Sequence, residues 1–383
     1  MKVLMLSSDP NILVEGTEAH ERMRWYGTTF DELHIAVLTK LSFVSQKTSY
    51  EVKLRKKLIL YPVAARWRIV GFCRLYRMMR RVVPVARPDV ITAQGPDEIG
   101  LIGYLVARRF RIPLQLQIHT DIFSKFYRRV SLKEFLRYWI AIFLIPRADC
   151  MRVVSERIKQ SLWEYGVRST EYGVTVLPVY TDVGRFREAP RDPAIDQRFH
   201  DYAFKIIAVG RFMDKEKNFS MLIGAMEEFV KIAPRVILVI VGDGPDKKNY
   251  ELRIMNYGLK ENIIIESWRN DLPSFYKSFD LYVMTSNYEG WGRTVIEAMA
   301  AGLPVVMTDV GLAGEVVKNG ENGVVVPVGN KEALCTALTA IYRDKEKRAR
   351  YSEAGRETVI RLSLTRDDYL KRYAEALDQC GGK

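Results

Sequence analysis

Short apolar segments alternate with helix-length stretches in two series along this 383-residue chain, and this alternation constrains the fold more than any other feature. The first series contains KVLMLS (2–7), LHIAVL (33–38), PDVITAQ (88–94) and IPLQLQIH (112–119). The second contains FKIIAVG (204–210), RVILVIVGDG (235–244), NIIIES (262–267), DLYVMTS (280–286), LPVVMTD (303–309) and NGVVVPV (322–328). Buried strands that alternate with helices form parallel sheets covered on both faces. The pattern predicts two doubly wound α/β domains in tandem.

A polar segment separates the two series. TDVGRFREAPRDPAIDQRFHD (181–201) contains two prolines and has weak periodicity, which is typical of a linker. We predict an N-terminal domain over residues 1–182, a linker over 183–202 and a C-terminal domain over 203–362. A C-terminal helix over 363–383 is expected to pack back toward the N-terminal domain. Ligands of such sheets bind beyond the carboxyl ends of the strands, so the predicted site is a cleft between the domains.

Cysteine usage and apolar run lengths indicate a cytoplasmic protein. The four cysteines are scattered and form no Cys-x-x-Cys pair, which is typical of a reducing compartment and of a protein without structural zinc. The apolar run in MKVLMLSSDP is too short for a signal peptide. The longest run, YWIAIFLIP (138–146), is too short for a bilayer, which takes about 20 residues.

Positive charge is concentrated in the first half of the chain. Residues 1–190 contain 31 Lys and Arg against 18 Asp and Glu, whereas residues 191–383 contain 28 of each. Residues 53–87 alone contain 11 basic residues and no acidic one. A negatively charged partner is therefore expected to meet the N-terminal domain.

Two glutamates in SNYEGWGRTVIEAMAAGLPVVMTD (286–309) lie eight positions apart. Glu289 follows the predicted strand DLYVMTS, and Glu297 falls in the second turn of the predicted helix RTVIEAMAA (293–301). The glycines at 290 and 292 allow a tight turn whose free amides, with the helix dipole, favour a phosphate. A solvated helix face is the alternative, but the apolar, glycine-rich surroundings favour a binding site.

The Glu-(x)7-Glu pattern resembles the signature of the family 4 glycosyltransferases. VGRFMDKEKNFSMLIGAM (209–226), VGDGP (241–245), GTEAH (16–20) and QIHTD (117–121) are also similar to segments of that family. The resemblance covers nearly the whole chain and is weakest over about residues 40–85. It implies the GT-B fold, with two Rossmann-like domains facing a central cleft, the N-terminal one binding the acceptor and the C-terminal one the nucleotide sugar.

The resemblance also implies roles for individual residues. Arg211 and Lys217 would stabilise the diphosphate leaving group of a UDP- or GDP-sugar, for which the charge of both side chains is suited. Glu289 would contact the transferred sugar, Glu297 the ribose hydroxyls, and Trp268 and Arg269 would flank the base. With His119, the residues Arg211, Lys217 and Glu289 form the expected catalytic set. The full set of expected donor contacts is Gly16, Arg211, Lys217, Gly242, Trp268, Arg269, Glu289, Gly290, Trp291, Gly292, Arg293, Thr294 and Glu297.

In the N-terminal domain, His119 ends a predicted strand, and the family places a histidine there against the donor sugar. A purely structural histidine is the alternative. The glycine pair usual in the N-terminal loop is replaced by Glu15-Gly16, so one glycine remains for close approach to the diphosphate and the Glu15 side chain is expected to turn away. His20 matches a family position, although a capping or packing role remains open.

No metal and no other cofactor are expected. The chain contains no Asp-x-Asp pair of the kind that holds Mg²⁺ or Mn²⁺ in the other main transferase architecture. The resemblance implies retention of the anomeric configuration. VGDGP lacks the third glycine of a dinucleotide fingerprint, which argues against an NAD enzyme.

The acceptor is expected to be a lipid-linked or otherwise membrane-associated glycan. Residues 53–81 and 121–147 mix cations with aromatic and aliphatic residues, which is typical of segments that contact anionic membranes. We expect a peripheral protein on the inner face of the cell membrane. Two core helices with solvated basic backs are the alternative, as are a soluble acceptor and a GT-B-shaped nucleotide-sugar epimerase. A nucleic-acid partner is not expected, because no segment resembles a nucleic-acid module.

Overall fold

A computed structural model describes residues 1–41, 51–53, 57–166 and 173–381. Two compact units divide the chain: the first contains residues 1–178 and 364–383, and the second contains residues 179–363. Within the described ranges, no helix has both the length and the apolar character that crossing a membrane requires.

The first unit is built on an eight-stranded sheet with the order β3-β4-β2-β1-β5-β6-β7-β8. All neighbouring strands are parallel except the edge pair β3 and β4, which is antiparallel. The strands are β1 (Lys2–Ser7), β2 (Glu32–Lys40), β3 (Glu51–Lys53), β4 (Lys57–Ala65), β5 (Val90–Ala93), β6 (Leu114–Ile118), β7 (Cys150–Val153) and β8 (Val174–Val176). From β1 the sheet grows through β2 to β4 on one side and from β5 to β8 on the other, so its switch point lies between β1 and β5, as in doubly wound folds.

The α-helices among the described residues of this first unit are α1 (Glu18–Thr29), α2 (Arg68–Ala86), α3 (Glu98–Phe110), α4 (Leu132–Leu144), α5 (Glu156–Glu164) and α15 (Arg366–Gly381). Local sequence explains where several of them begin. The side chains of Thr17, Asp97 and Ser155 each accept a hydrogen bond from a first-turn amide, which satisfies a donor that the helix itself leaves unpaired.

The C-terminal helix α15 contacts β5, β6 and β7 of the first unit. A disulfide joins Cys380 in α15 to Cys150 in β7, with a Cα–Cα distance of 5.3 Å and 230 residues of separation along the chain. The spacing of the four scattered cysteines did not predict this pairing. The pair escaped sequence analysis because only the folded sheet and helix bring the two residues together.

The second unit contains a six-stranded parallel sheet with the order β11-β10-β9-β12-β13-β14. The strands are β9 (Phe204–Val209), β10 (Val236–Val241), β11 (Ile263–Glu266), β12 (Leu281–Met284), β13 (Val305–Thr308) and β14 (Val324–Val326). In order along the chain this is the 3-2-1-4-5-6 arrangement of Rossmann folds, with the switch point between β9 and β12. Both units confirm the predicted doubly wound α/β class.

The second unit, as far as the structure describes it, contains nine α-helices: α6 (Val183–Arg187), α7 (Pro193–Arg198), α8 (Asp214–Lys217), α9 (Phe219–Ile232), α10 (Lys247–Asn256), α11 (Leu272–Tyr276), α12 (Arg293–Ala301), α13 (Lys331–Arg343) and α14 (Lys345–Leu362). The segment predicted as a linker forms α6 and α7. Its apolar side chains Val183, Phe186, Ile195 and Phe199 are buried in the core of this unit. This segment is therefore packed structure that belongs to the second unit.

Candidate active site

The predicted diphosphate residues lie at the switch point of the second sheet. Arg211 follows β9, and Lys217 ends the short helix α8 in the same connection. Between them, the buried carboxylate of Glu216 pairs with both cations, at 2.9 Å from Arg211 Nη2 and 3.1 Å from Lys217 Nζ. A single carboxylate thus holds two cationic side chains in one loop. Sequence analysis missed Glu216, for which its place between the two cations was the only signal.

Lys217 also contacts the loop that follows β12. Its ammonium pairs with Glu289 Oε1, which in turn accepts a hydrogen bond of 2.9 Å from Ser286 Oγ. The backbone joins the same two loops, because Asn287 N donates to Glu216 O at 2.7 Å. The structure therefore brings together two predicted residues that are far apart along the chain.

The lysine in this cluster is held in its charged form. Burial acts to lower the pKa of Lys217, but the carboxylates of Glu289 and Glu216 outweigh burial and hold that pKa above its ordinary value. Burial acts to raise the pKa of Glu216, but Lys217 and Arg211 outweigh it and hold that pKa below its ordinary value. At neutral pH the cluster combines positive and negative charges in a fixed arrangement.

The entrance to α12 lies in the loop after β12. Gly292 adopts a φ of +101° as the N-cap, a conformation that residues with a Cβ rarely adopt. One turn into the helix, Glu297 is buried and accepts a hydrogen bond of 2.7 Å from Arg293 Nε. Burial and the nearby Glu297 carboxylate raise the pKa of Tyr276 well above its ordinary value. Glu297 is thus a buried carboxylate rather than part of a solvated helix face.

Other predicted donor residues at α12 are partly engaged within the unit. Thr294 Oγ1 accepts a hydrogen bond of 2.6 Å from Tyr282. Trp291 is half-buried against the core, and its carbonyl accepts from Leu312 N at 2.9 Å. Gly290 is buried in the turn just before it.

Gly242 has a packing reason to be glycine. A Cβ there would lie 1.9 Å from Gly210 O and 2.8 Å from Phe212 Cε1. The end of β10 therefore lies directly against the start of the loop that carries Arg211. Gly242 fixes the path of that loop, which is a role independent of direct donor contact.

The predicted base-contact loop presents two different side chains. Trp268 is exposed, at 59% of its full surface. Arg269 pairs with Glu266 at 2.9 Å and with Asp271 at 2.6 Å, and its guanidinium lies 4.2 Å from the ring centroid of Phe275. Trp268 is available to stack on a base, whereas Arg269 is already held by two carboxylates.

The predicted residues of the first unit lie at the carboxyl ends of its strands. Gly16, with a φ of +80°, lies in the loop between β1 and α1, and the neighbouring Glu15 is exposed. His20 is buried, and its Nδ1 lies 2.9 Å from Ile12 O, which is a structural contact. His119 follows β6, is partly buried, and its Nε2 lies 3.1 Å from Gln117 Oε1.

Comparison with protein families identifies both halves of the chain. Residues 195–358 match the model for glycosyl transferases group 1, and residues 44–179 match the model for a glycosyl transferase 4-like domain. The chain is a family 4-type glycosyltransferase. This glycosyltransferase is 24% identical over 355 residues to EpsD of Bacillus subtilis (strain 168), to which a glycosyltransferase activity is ascribed. The aligned residues cover 90% of this chain and 88% of EpsD.

Two further proteins extend the comparison. The UDP-Gal:alpha-D-GlcNAc-diphosphoundecaprenol alpha-1,3-galactosyltransferase of Escherichia coli is 24% identical over 284 residues, covering 71% of this glycosyltransferase and 70% of that enzyme. The structure of Anabaena Alr3699/HepE in complex with UDP superposes with a TM-score of 0.76 and 20% identity, over 99% of this chain and 100% of that chain. Alr3699/HepE has also been solved in complex with UDP-glucose. The structural likeness confirms the GT-B fold class.

Within the described residues, no group of three or more His, Cys, Asp or Glu side chains is arranged to hold a metal ion. Metal-independent transfer by this glycosyltransferase stays a prediction.

Proposed function

We propose that this protein is a retaining glycosyltransferase that moves a hexose-type sugar from a UDP- or GDP-sugar to a membrane-associated lipid-linked or glycan acceptor. The observation that carries the proposal is the Lys217 ion-pair cluster at the switch point of the second sheet. Ligands bind at such switch points, and a lysine held charged there is suited to a leaving diphosphate. Arg211, whose side chain is 68% exposed while Glu216 holds it, supplies a second cation.

The other predicted residues fit around this diphosphate. The first-turn amides of α12, which begins after the glycines at 290 and 292, favour an anion through the helix dipole. Glu297 accepts hydrogen bonds from the ribose hydroxyls, Glu289 contacts hydroxyls of the transferred sugar, and Trp268 stacks on the base. In this mechanism fixed cations and amides stabilise the developing charge, and no metal takes part. The UDP complexes of Alr3699/HepE support a uridine nucleotide as the first donor to test.

The outer face of α4 supports a membrane-held acceptor. Five apolar residues on this helix are exposed and recur at helical spacing: Leu132, Phe135, Leu136, Trp139 and Phe143. Exposed cations at 125, 129, 133 and 147 flank them in the sequence. A solvated basic back would expose charge and not this apolar stripe, so the arrangement favours insertion among anionic lipid head groups over the two-core-helix alternative.

Neighbouring helices extend this face. α3 packs against both α2 and α4, and Glu98 in α3 pairs with Arg68 of α2 at 3.2 Å and with Arg137 of α4 at 2.8 Å. Trp67 and Ile69 at the start of α2 are exposed as well. We place the protein on the inner face of the cell membrane. The galactosyltransferase of Escherichia coli is named for an acceptor linked to diphosphoundecaprenol, which supports a lipid-linked acceptor for this protein.

A transfer assay with donor and acceptor varied independently tests the proposed function. UDP- and GDP-sugars are incubated with the protein alone, with extracted membrane lipid-linked glycans, or with soluble oligosaccharides, and both product and free nucleotide are measured. We expect transfer from one donor only to the lipid-linked fraction, with the anomeric configuration retained by NMR. Turnover without acceptor into an altered nucleotide sugar would identify an epimerase, and transfer to soluble glycans would identify the soluble-acceptor alternative.

A further inference from the structure

A chain of buried polar side chains crosses the core of the first unit. Arg152 in β7, Gln117 and Gln115 in β6, and Thr92 in β5 are each at most 2% exposed. Buried polar groups are costly unless they are fully hydrogen-bonded, so such a network calls for a physical reason. The residues around Lys217 and α12 belong to the other unit, so they do not explain this network.

The orientation of the Gln117 amide is fixed from one side by Arg152. A guanidinium only donates hydrogen bonds, and Arg152 Nη1 lies 3.0 Å from Gln117 Oε1. The amide atom that faces Arg152 must therefore be the oxygen. Arg152 is itself held by the carbonyls of Leu177 and Pro178, at 3.1 and 3.0 Å, and by Tyr369 OH at 2.8 Å.

The same orientation follows independently from the other side. Gln117 Nε2 donates to Thr92 Oγ1 and to Tyr373 OH, both at 2.9 Å. The Thr92 hydroxyl donates to Gln115 Oε1 at 3.0 Å, and Gln115 Nε2 donates to Ala376 O at 2.7 Å. Because a backbone carbonyl only accepts, the direction of every bond in this series is set from α15.

This orientation determines where the proton of His119 lies. His119 Nε2 is 3.1 Å from Gln117 Oε1, and an amide oxygen can only accept. The hydrogen must therefore be on Nε2, and in the neutral ring Nδ1 carries a lone pair. Burial first, and then the charges of Arg152 and Arg22, lower the pKa of His119 to about 3, so the ring is neutral at physiological pH.

We infer that Gln117 and Arg152 are positioning residues that hold His119 in the Nε2–H tautomer, so that Nδ1 is the ring atom that can accept a hydrogen bond from a ligand hydroxyl. The identity of that hydroxyl-bearing ligand rests on the proposed function, whereas the tautomer does not. The network needs α15, because Tyr369, Tyr373 and the Ala376 carbonyl complete it. The C-terminal helix thus sets the tautomer of His119, which lies in the connection between β6 and α4, more than 200 positions earlier in the chain.

Nitrogen NMR of protein labelled with ¹⁵N-histidine tests the tautomer directly. The chain has four histidines, and a His119→Asn variant assigns the His119 signals. We expect the Nε2–H tautomer with a slowly exchanging ring proton, unchanged between about pH 5.5 and 8. In Gln117→Leu the slow exchange should disappear, whereas Gln117→Glu, which keeps an acceptor, should retain a protected Nε2 proton. Gln160→Leu, an exposed site in the same unit, is the matched control.

Kinetics complete the test and separate it from the proposed function. We expect Gln117→Leu to lower kcat about tenfold, the loss of roughly one well-placed hydrogen bond, with nucleotide affinity unchanged. If Gln117→Leu does not fold, Gln117→Glu and Arg152→Met carry the same comparison. A proton on Nδ1 in the wild type, or slow exchange that survives in Gln117→Leu, would overturn the inference. A locked tautomer without a change in kcat would support the positioning of the His119 ring by Gln117 and Arg152 and would exclude His119 from the proposed sugar contact.

Discussion

Lys217 and Glu289, 72 positions apart in the sequence, form an ion pair between the loops that follow β9 and β12. Both side chains are largely buried, at 16% and 14% exposure, and the pair lies where the strand order of the second sheet reverses. The proposed phosphate ligand and the proposed sugar ligand therefore belong to one electrostatic unit. A change in either residue alters the environment of the other, and this shapes the predictions for the donor site.

Lys217→Ala should weaken the binding of nucleoside diphosphate by about 10- to 150-fold, because it removes a charge-assisted contact of about 1.5–3 kcal/mol. It also leaves Glu216 and Glu289 without their shared cation, so their charge would repel the diphosphate. Isothermal titration calorimetry with UDP and GDP measures the effect. Lys215→Ala removes the same charge from an exposed position of α8 and should leave affinity unchanged. Equal affinities for both variants would contradict the diphosphate assignment.

Substitution of Glu289 and of Glu297 should have different effects, one on turnover and the other on nucleotide binding. Glu297→Gln keeps the size of the side chain but weakens its bond to ribose hydroxyls, so it should raise the dissociation constant for the nucleotide about tenfold. Glu289→Gln should mainly lower kcat, since its proposed partner is the sugar, and should change that constant less than Glu297→Gln does. Calorimetry and steady-state rates on both variants test this. Nucleotide binding that depends on Glu289 and not on Glu297 would reverse the assignment.

Treatment with EDTA should leave transfer activity nearly intact. The expectation follows from the proposed stabilisation of the leaving diphosphate by Arg211, Lys217 and the amides of α12. Initial rates are compared before and after chelation and dialysis, with Mn²⁺ and Mg²⁺ added back separately. Complete loss that Mn²⁺ restores would show that a metal takes part.

The α4 face and the basic α2 should bind anionic vesicles in a salt-dependent way. A basic residue near an anionic leaflet contributes about 1 kcal/mol, which salt screens. Reversal of Arg77, Arg80 and Arg81 to Glu should reduce co-sedimentation at low salt. Leu136→Ser with Trp139→Ser should reduce it at high salt as well, because apolar insertion is not screened. Neither set should alter UDP affinity. If the wild-type protein does not co-sediment with anionic vesicles at low salt, the soluble-acceptor alternative is favoured.

The disulfide should stabilise the first unit. Closing a loop of 230 residues restricts the unfolded chain by up to about 5 kcal/mol on loop-closure entropy. Cys380→Ser should therefore lower the denaturant midpoint, and a reductant should lower the midpoint of wild type without affecting the variant. Cys73→Ser, at an exposed free cysteine, is the control. Identical midpoints for oxidised wild type and Cys380→Ser would show that the cross-link is absent in solution.

The sequence by itself determined the two α/β units, the place of most strands and the residues around the second sheet's switch point. These follow from local rules, because strand burial, helix periodicity and glycine turns act over a few neighbouring residues. Local rules located the loop and helix that contain Glu289 and Glu297, whereas the roles of these residues and of Arg211 and Lys217 came from the resemblance to the family 4 glycosyltransferases.

Only the tertiary structure decided which of these side chains meet and what charges they meet. The Lys217–Glu289 ion pair, the Cys150–Cys380 cross-link and the bonds from α15 that orient Gln117 depend on strand order and helix docking. The segment after residue 182 looked like a linker because its polar residues dominate, yet its few apolar side chains fill a core that distant strands create. Local periodicity contains no information on such contacts, since each partner is supplied by a part of the chain tens to hundreds of residues away.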